Sequence, residues 1–191
     1  MARAGLDTEK VVDAAEVIVD QDGADALTLA RVAKRVGVRA PSLYNHVDGL
    51  DDLKRRLALR CIRRLGDACR AAVMGRAGPD ALAETMRAYR REATGHPGLY
   101  RLTQSQPQTE DLEWEAASNS LLEAVFAILA GYGLEGDDAI HAARTIRSAV
   151  HGFAMLESER GFGLPQDVDE SFDFLVRTLD RGLRGSTVPG S

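Results

Sequence analysis

The chain has 191 residues, of which 45% are hydrophobic, 28% are charged and 5% are aromatic, an ordinary globular composition that excludes a disordered chain. Its net charge of −5 argues against indiscriminate binding to nucleic acid, which requires an excess of basic side chains. The charge is uneven, because residues 1–70 carry 13 basic and 11 acidic side chains and residues 26–47 carry no acidic one. An acidic protein with one basic patch can bind DNA at that patch alone.

Apolar residues recur with a helical period, and no segment alternates with the two-residue period of a strand. A first helix is expected to have Thr8 as its N-cap and to end before Gly23. Thr28 is expected to cap a second helix, which Gly37 ends. Pro41 lies in the first turn of a predicted short third helix, where its missing N–H costs nothing.

The helices that follow are longer. A fourth helix is predicted from about Leu50 to Val73, after a turn at residues 48–49 and before a break at residues 75–79. Further helices are predicted at about residues 79–94, 99–104, 112–132, 137–160 and 169–183. The sequence thus predicts an all-α fold of about nine helices: a three-helix helix-turn-helix domain (1–50), a linking helix (51–74), a larger helical bundle (75–184) and a disordered tail (185–191).

Residues 28–46 have the features of a helix-turn-helix motif. A helix of about nine residues is followed by a tight turn at Gly37 and a second short helix. Ala33 is small enough for the two helices to cross closely, Val38 fills the corner between them, and Leu43 is expected in the small core. The second helix of such a motif enters the major groove of DNA.

This motif resembles that of the tetracycline-repressor (TetR) family of bacterial regulators, with agreement over about residues 8–60. Residue types agree at fixed offsets, namely Gly23, Thr28, Ala33, Gly37-Val38, Ser42-Leu43-Tyr44, His46 and Leu53. Two positions depart from the family pattern. Val47 stands where an aromatic residue is usual, and Leu50 stands where the family has a lysine that contacts a phosphate. Lys54, one turn later, is the candidate replacement.

Chemistry and the resemblance together imply which residues contact the DNA backbone. Such contacts provide affinity and register rather than sequence information. The candidates are the hydroxyls of Thr28 and Tyr44, the ring N–H of His46, and the charges of Lys34, Arg35 and Lys54.

The candidates for contacts with base edges lie at or on the short third helix. They are Arg39, Ala40, Pro41, Ser42 and Asn45. Arg39 has the donors to bind guanine, and Asn45 can pair with adenine. A solvated surface charge remains the alternative for Arg39 and Arg31.

The C-terminal half carries a second resemblance, over about residues 80–183. A domain type of the same family, named for a Trp-His-Gly triplet, is similar at His151-Gly152-Phe153, Glu157, Gly161-Phe162-Gly163, Asp167 and Phe172, with Val150 in place of the Trp. The resemblance implies that residues 75–184 bind a small effector and form a homodimer through the last two helices. The candidate interface residues are Ile146, Ala149, Val150, Phe153, Phe172, Leu175, Val176 and Leu179. The alternative is that both apolar stripes close the core of a single chain.

An effector pocket needs apolar walls and a few inward polar groups. The candidates in this half are Met86, Tyr89, Arg90, His96, Tyr100, Trp114, Phe126, Arg144, Ser148 and His151. Ordinary core packing is the alternative for each apolar member of this set.

Two other functions compete with a DNA-binding regulator: a small helical enzyme, and a protein-interaction module with a basic patch. The four histidines have no metal-binding spacing, no nucleophile motif or phosphate-binding loop is present, and neither a cofactor nor a metal is expected. We expect neither a signal peptide nor a membrane span, and free thiols at Cys61 and Cys69 suit the cytoplasm. The favoured interpretation is a non-enzymatic, ligand-responsive repressor that binds a near-palindromic operator in double-stranded DNA as a homodimer.

Overall fold

The computed structural model describes residues 5–105, 107 and 110–185. Within these residues there is no strand, which confirms the predicted all-α fold. The α-helices are α1 (Thr8–Asp22), α2 (Leu29–Val36), α3 (Leu50–Val73), α4 (Gly78–Gly95), α5 (Pro97–Leu102), α6 (Leu112–Ala130), α7 (Gly136–Ser158) and α8 (Val168–Gly185). Two short 3-10 segments lie at Ala24–Ala26 and Ala40–Asn45.

The chain forms two compact units, and they do not follow the order of the sequence. The first unit comprises the chain up to Ile62 together with His96–Asp111. The second comprises Arg63–Gly95 and the chain from Leu112 onward. The division falls inside α3, whereas the sequence suggested a boundary near residue 75.

The N-cap of helix α1 lies one residue before the predicted one. Asp7 is the N-cap, and its Oδ1 accepts a hydrogen bond from the backbone N–H of Lys10 at 2.8 Å. Thr8 is the first helical residue, and its hydroxyl donates to the carbonyl oxygen of His46 at 3.3 Å. The prediction of Thr8 as the cap is therefore wrong, because its hydroxyl bonds to a residue distant in sequence. The predicted end is confirmed, since Gly23 follows the helix with a φ of 84°.

Helix α2 has both of its predicted ends. The backbone N–H of Arg31 donates to Thr28 Oγ1 at 3.2 Å, so Thr28 is the N-cap. Gly37 ends the helix in the left-handed conformation, with a φ of 75°, where a side chain would be strained. The predicted third helix is the 3-10 segment Ala40–Asn45, with Pro41 in its first turn.

Side chains of α3 hold α1 in place within the first unit. The guanidinium of Arg60 lies 2.6 Å from carboxylate oxygens of Glu9, Asp13 and Glu16. These three acids lie on one face of α1, at helical spacing. One arginine therefore bridges successive turns of its neighbouring helix.

Helix α5 and the residues after it return to the first unit. A Cβ atom on Gly98 would lie 2.6 Å from the carbonyl oxygen of Val19, so α5 packs against the backbone of α1. The His96 Nδ1 atom lies 3.0 Å from Asp20. Asp111 accepts two hydrogen bonds from the guanidinium of Arg55, at 2.5 and 2.7 Å. This short helix begins at Pro97, two residues before the predicted start.

The second unit encloses a core contributed by α4, α6, α7 and α8. Arg90 of α4 connects three of these helices. Its guanidinium donates to Glu157 of α7 in two bonds of 2.6 Å, lies 2.7 Å from Asp169 of α8, and stacks 4.8 Å from the ring centre of Phe172. The bonds with Glu157 and Asp169 raise the pKa of Arg90 above its ordinary value.

The last helix extends past its predicted end. Gly185, which the sequence assigned to the tail, is the last residue of α8. The rest of the predicted tail lies outside the described residues. Among the helices described, none is long and apolar enough to cross a membrane.

Replacing Gly98 by Ala is expected to destabilise the protein, because the added methyl group overlaps the backbone of α1 at Val19. We expect a loss of ~1–3 kcal/mol in the free energy of unfolding, measured as a lower urea midpoint. Gly95→Ala is the matched control, since a Cβ at Gly95 would have no atom within 4 Å. Equal midpoints for the two variants would contradict the close packing of α5 on α1.

Candidate nucleic-acid interface and ligand cavity

The 3-10 segment Ala40–Asn45 presents polar side chains outward from one buried anchor. Leu43 is 0% exposed and lies in the core, as expected. Its neighbours Ser42, Tyr44 and Asn45 are exposed, and Tyr44 is 61% exposed. An aromatic ring so exposed contributes little to the core, so its hydroxyl is available to a partner.

The cations beside this segment fall into two groups. Lys34, Arg35 and Arg39 are exposed, and among the described residues their side chains have no hydrogen bond or ion pair. Arg31 instead forms an ion pair with Asp22 and donates to the carbonyl oxygen of Ala26 at 3.3 Å. A structural role for Arg31 is therefore supported, while the other three cations remain available.

The remaining predicted DNA contacts lie in the same unit. Thr28 is exposed, and its hydroxyl accepts the cap bond described above, which leaves its proton free to donate. His46 and Lys54 are half-buried. The two residues after Lys54 are committed elsewhere, Arg55 to Asp111 and Arg56 to Asp52, whereas Lys54 has no such partner within the described part of the chain. Ala40 is half-buried and Pro41 exposed.

The second unit contains a cavity of about 400 Å³, lined by residues of α3, α4, α6 and α7. Its buried wall is almost entirely apolar. The lining side chains that are buried are Cys69, Leu82, Thr85, Met86, Ile128, Ala143, Ile146 and Val150. The lining side chains that are exposed are Leu122, Phe126, Ile140, Arg144 and Arg147. The exposed set therefore forms the mouth.

Four of the predicted effector-binding residues line this cavity: Met86, Tyr89, Phe126 and Arg144. Four others belong to the same unit without lining the cavity, namely Arg90, Trp114, Ser148 and His151. The last two, His96 and Tyr100, belong to the first unit. Arg90 is committed to its carboxylate partners. The pKa of His151 is lowered by burial and by the charge of Arg147, so the neutral ring is favoured.

Sequence reasoning missed several of the lining residues. Arg147 lies three residues after Arg144 on α7, and this helical spacing was the available signal. Thr85 carried no such signal. It is 5% exposed, and its Oγ1 has no hydrogen-bond partner among the described residues. A buried hydroxyl of this kind costs free energy unless a ligand or water satisfies it.

The predicted dimer interface divides into two groups. Ile146, Val150, Phe172 and Val176 are between 1% and 8% exposed and lie in the core of this chain. The neighbouring helices of the same chain cover them, and their interface role stays a prediction. Ala149, Phe153, Leu175 and Leu179 are half-buried. The large apolar side chains exposed on α7 and α8 include Leu156 and Phe174, which are 50% and 65% exposed.

Within the residues that the structure describes, no group of three His, Cys, Asp or Glu could hold a metal ion. The two cysteines are free and buried.

Both halves of the chain match families of known regulators. Residues 11–53 match the family described as bacterial regulatory proteins, tetR family. Residues 82–179 match the family described as tetracyclin repressor-like, C-terminal domain. The first match includes the helix-turn-helix, and the second includes most of the cavity lining.

Relatives match over nearly the whole chain. An uncharacterised helix-turn-helix transcriptional regulator of Mycobacterium tuberculosis is 37% identical over 190 residues, which is 98% of this chain and 86% of that protein. A similar regulator of Bacillus subtilis is 36% identical over 95% of this chain and 94% of its own length. Among solved structures, a TetR variant of Acinetobacter baumannii in complex with minocycline has a TM-score of 0.74 at 20% identity, over 97% of this chain and 100% of that one.

The thiol of Cys69, which lines the cavity, is expected to be unreactive in the folded protein. Burial raises the pKa of Cys69 to about 12, so the reactive thiolate is scarce at pH 8 in the folded state and becomes abundant on unfolding. A Cys61→Ala variant isolates Cys69. We expect this variant to react with a thiol-specific disulfide reagent only in denaturant, as followed by absorbance. Reaction of the native variant at the rate of free cysteine would contradict the burial.

Proposed function

Because the chain belongs to the TetR family of bacterial regulatory proteins and is a DNA-binding transcriptional regulator, we propose that it is a homodimeric repressor that leaves its operator when a small molecule fills the cavity. The observation that carries this proposal is the 3-10 segment Ala40–Asn45. It is anchored by buried Leu43, exposes Tyr44 and Asn45, and lies beside cations that have no partner among the described residues.

The contacts with DNA divide by chemistry. Arg39, Ser42 and Asn45 are proposed to read base edges, because they lie at or on the exposed segment. Tyr44 and the cations Lys34 and Arg35 are proposed to bind phosphates. Lys54 is proposed to take the place of the lysine that the family usually has at position 50, since the neighbouring arginines of α3 are already paired. The half-buried His46 and the capping Thr28 complete the backbone contacts.

Dimer formation is proposed through the outward faces of α7 and α8. Exposed apolar side chains on a helix surface favour association with another apolar surface. Phe174 and Leu156 are such side chains, and Leu175 and Leu179 of α8 are half-buried. A second copy of this chain is the proposed occupant, because two identical short segments suit a near-palindromic operator.

Helix α3 is the proposed connection between ligand and DNA. Its first residues belong to the first unit, and Cys69, near its other end, lines the cavity. A ligand that fits the cavity better in one position of α3 shifts the population toward that position. The similar Acinetobacter protein was solved in complex with minocycline, which supports a small molecule as effector. A cytoplasmic location is proposed as well, because the reducing cytoplasm suits thiols such as those of the two buried cysteines.

Replacing Arg39 by Ala should relax the sequence preference at one base position by ~1–3 kcal/mol, because a bidentate contact with one base is lost. Lys34→Ala is the matched control, since it removes a phosphate contact. It should weaken binding to all sequences and lower the slope of log affinity against log salt concentration by about one. The operator would be selected from a random duplex library, and single-base substitutions would be compared by gel shift.

Equal weakening of every sequence by Arg39→Ala would assign Arg39 to the backbone. Failure of the wild-type protein to enrich any sequence at low salt, while folded and dimeric, would contradict operator binding.

Replacing Phe174 by Glu should dissociate the proposed dimer, because a charge replaces an apolar contact. We expect the dissociation constant to rise by about 30-fold or more, which is typical of an interface hot spot. Sedimentation over a range of concentrations measures this constant. Met74→Glu is the matched control, because Met74 is 72% exposed and lies outside α7 and α8. A change of equal size in both variants would place the interface elsewhere.

A further inference from the structure

The charged side chains that line the cavity of the second unit are all basic. Most of its lining is apolar, and the charged lining residues are Arg144 and Arg147. None of the lining residues is acidic. A cavity with these walls attracts an apolar molecule that carries negative charge and repels one that carries positive charge.

The two arginines lie on the same face of α7, three residues apart. Both are exposed, and among the described residues neither has a hydrogen bond or an ion pair. Two arginines of the same unit are paired, since Arg87 lies 2.7 Å from Asp173 and Arg90 lies 2.6 Å from Glu157. Arg91 has no such partner among the described residues, and it does not line the cavity. The unpaired arginines of α7 are therefore distinguished by the cavity that they border.

A third polar group lies deeper in the same cavity. Thr85 lines it and is buried, and its hydroxyl has no partner in the described part of the chain. A water or ligand oxygen at this point would satisfy the hydroxyl. The largely apolar cavity thus offers a ligand two guanidinium groups at its mouth and one hydroxyl in its wall.

We propose that the effector is an amphipathic organic acid. Its apolar body fills the cavity, its carboxylate binds Arg144 and Arg147, and an oxygen atom within the body bonds to Thr85. The volume of about 400 Å³ lies toward the small end of the range for ligand sites, roughly 300–1,000 Å³. This inference rests on the proposed function, because it names the ligand class of the same cavity.

The first experiment compares decanoate with decanamide, which have the same length and differ in charge. Calorimetry on the full-length protein, without DNA, measures both affinities. We expect decanoate to bind roughly tenfold more tightly, as two partly solvated ion pairs allow. The double variant with Arg144→Met and Arg147→Met keeps the apolar stems and should bring this ratio to about one.

Arg91→Met is the matched control, because Arg91 is exposed on α4 and does not line this cavity. It should leave the ratio unchanged. Equal binding of decanoate and decanamide to the wild-type protein, no detectable binding of either, or an unchanged ratio in the double variant would overturn the proposal. Circular dichroism checks that each variant remains folded.

The second experiment tests Thr85 with hydroxydecanoates that carry the hydroxyl at successive positions. At one position the hydroxyl should increase affinity over decanoate by about fivefold, the value of one hydrogen bond. Thr85→Val, which keeps the shape, should remove that gain and leave decanoate binding unchanged or tighter. The absence of such a position would overturn the role of Thr85.

The effect on DNA is measured separately, by adding decanoate to the complex with the selected operator. Charge-dependent binding to the free protein without release of DNA would support the ligand class and contradict the proposed coupling. Operator binding without preference for the acid would support the proposed repressor and overturn the ligand class.

Discussion

Helix α3 is buried along one face for nearly its whole length. Leu53, Leu57, Cys61, Leu65 and Cys69 recur every four residues, and each is at most 5% exposed. The first three belong to the first unit and the last two to the second. One unbroken helix therefore contributes buried side chains to both units. The proposed coupling acts along this helix, because Cys69 lines the cavity and the first residues of α3 belong to the first unit.

Ion pairs separate the basic residues that stabilise the fold from those that remain available to a partner, which their charge alone does not. Arg60 is held by three carboxylates of α1, and Arg90 by two carboxylates from different helices. Such cations stabilise the structure locally and are not available to DNA or to an anion. Arg39 beside the 3-10 segment and Arg144 at the cavity have no such partner in the described residues. The proposed interface and the proposed ligand class both rest on this difference.

Local sequence signals predicted the helix-turn-helix well. Helix α3 has the predicted bounds, Leu50–Val73, and Thr28 and Gly37 end α2 as expected. These features depend on contacts within a few residues, such as the cap bond between Thr28 and Arg31. The cap of α1 was wrong because the Thr8 hydroxyl bonds to His46, 38 residues away. No local pattern reveals a bond of that range.

The amino-acid sequence was sufficient to predict the helices, because periodicity, caps and turn glycines act over short distances. The motif at residues 28–46 was sufficient to indicate the family. Only the tertiary structure decided what each apolar helix face packs against. It placed Ile146, Val150 and Thr85 together in the wall of one cavity. It also returned α5 to the first unit through the contact between Gly98 and Val19. These outcomes depend on packing between residues far apart in the chain. The spacing of apolar residues along one helix does not specify which other helix will pack against it.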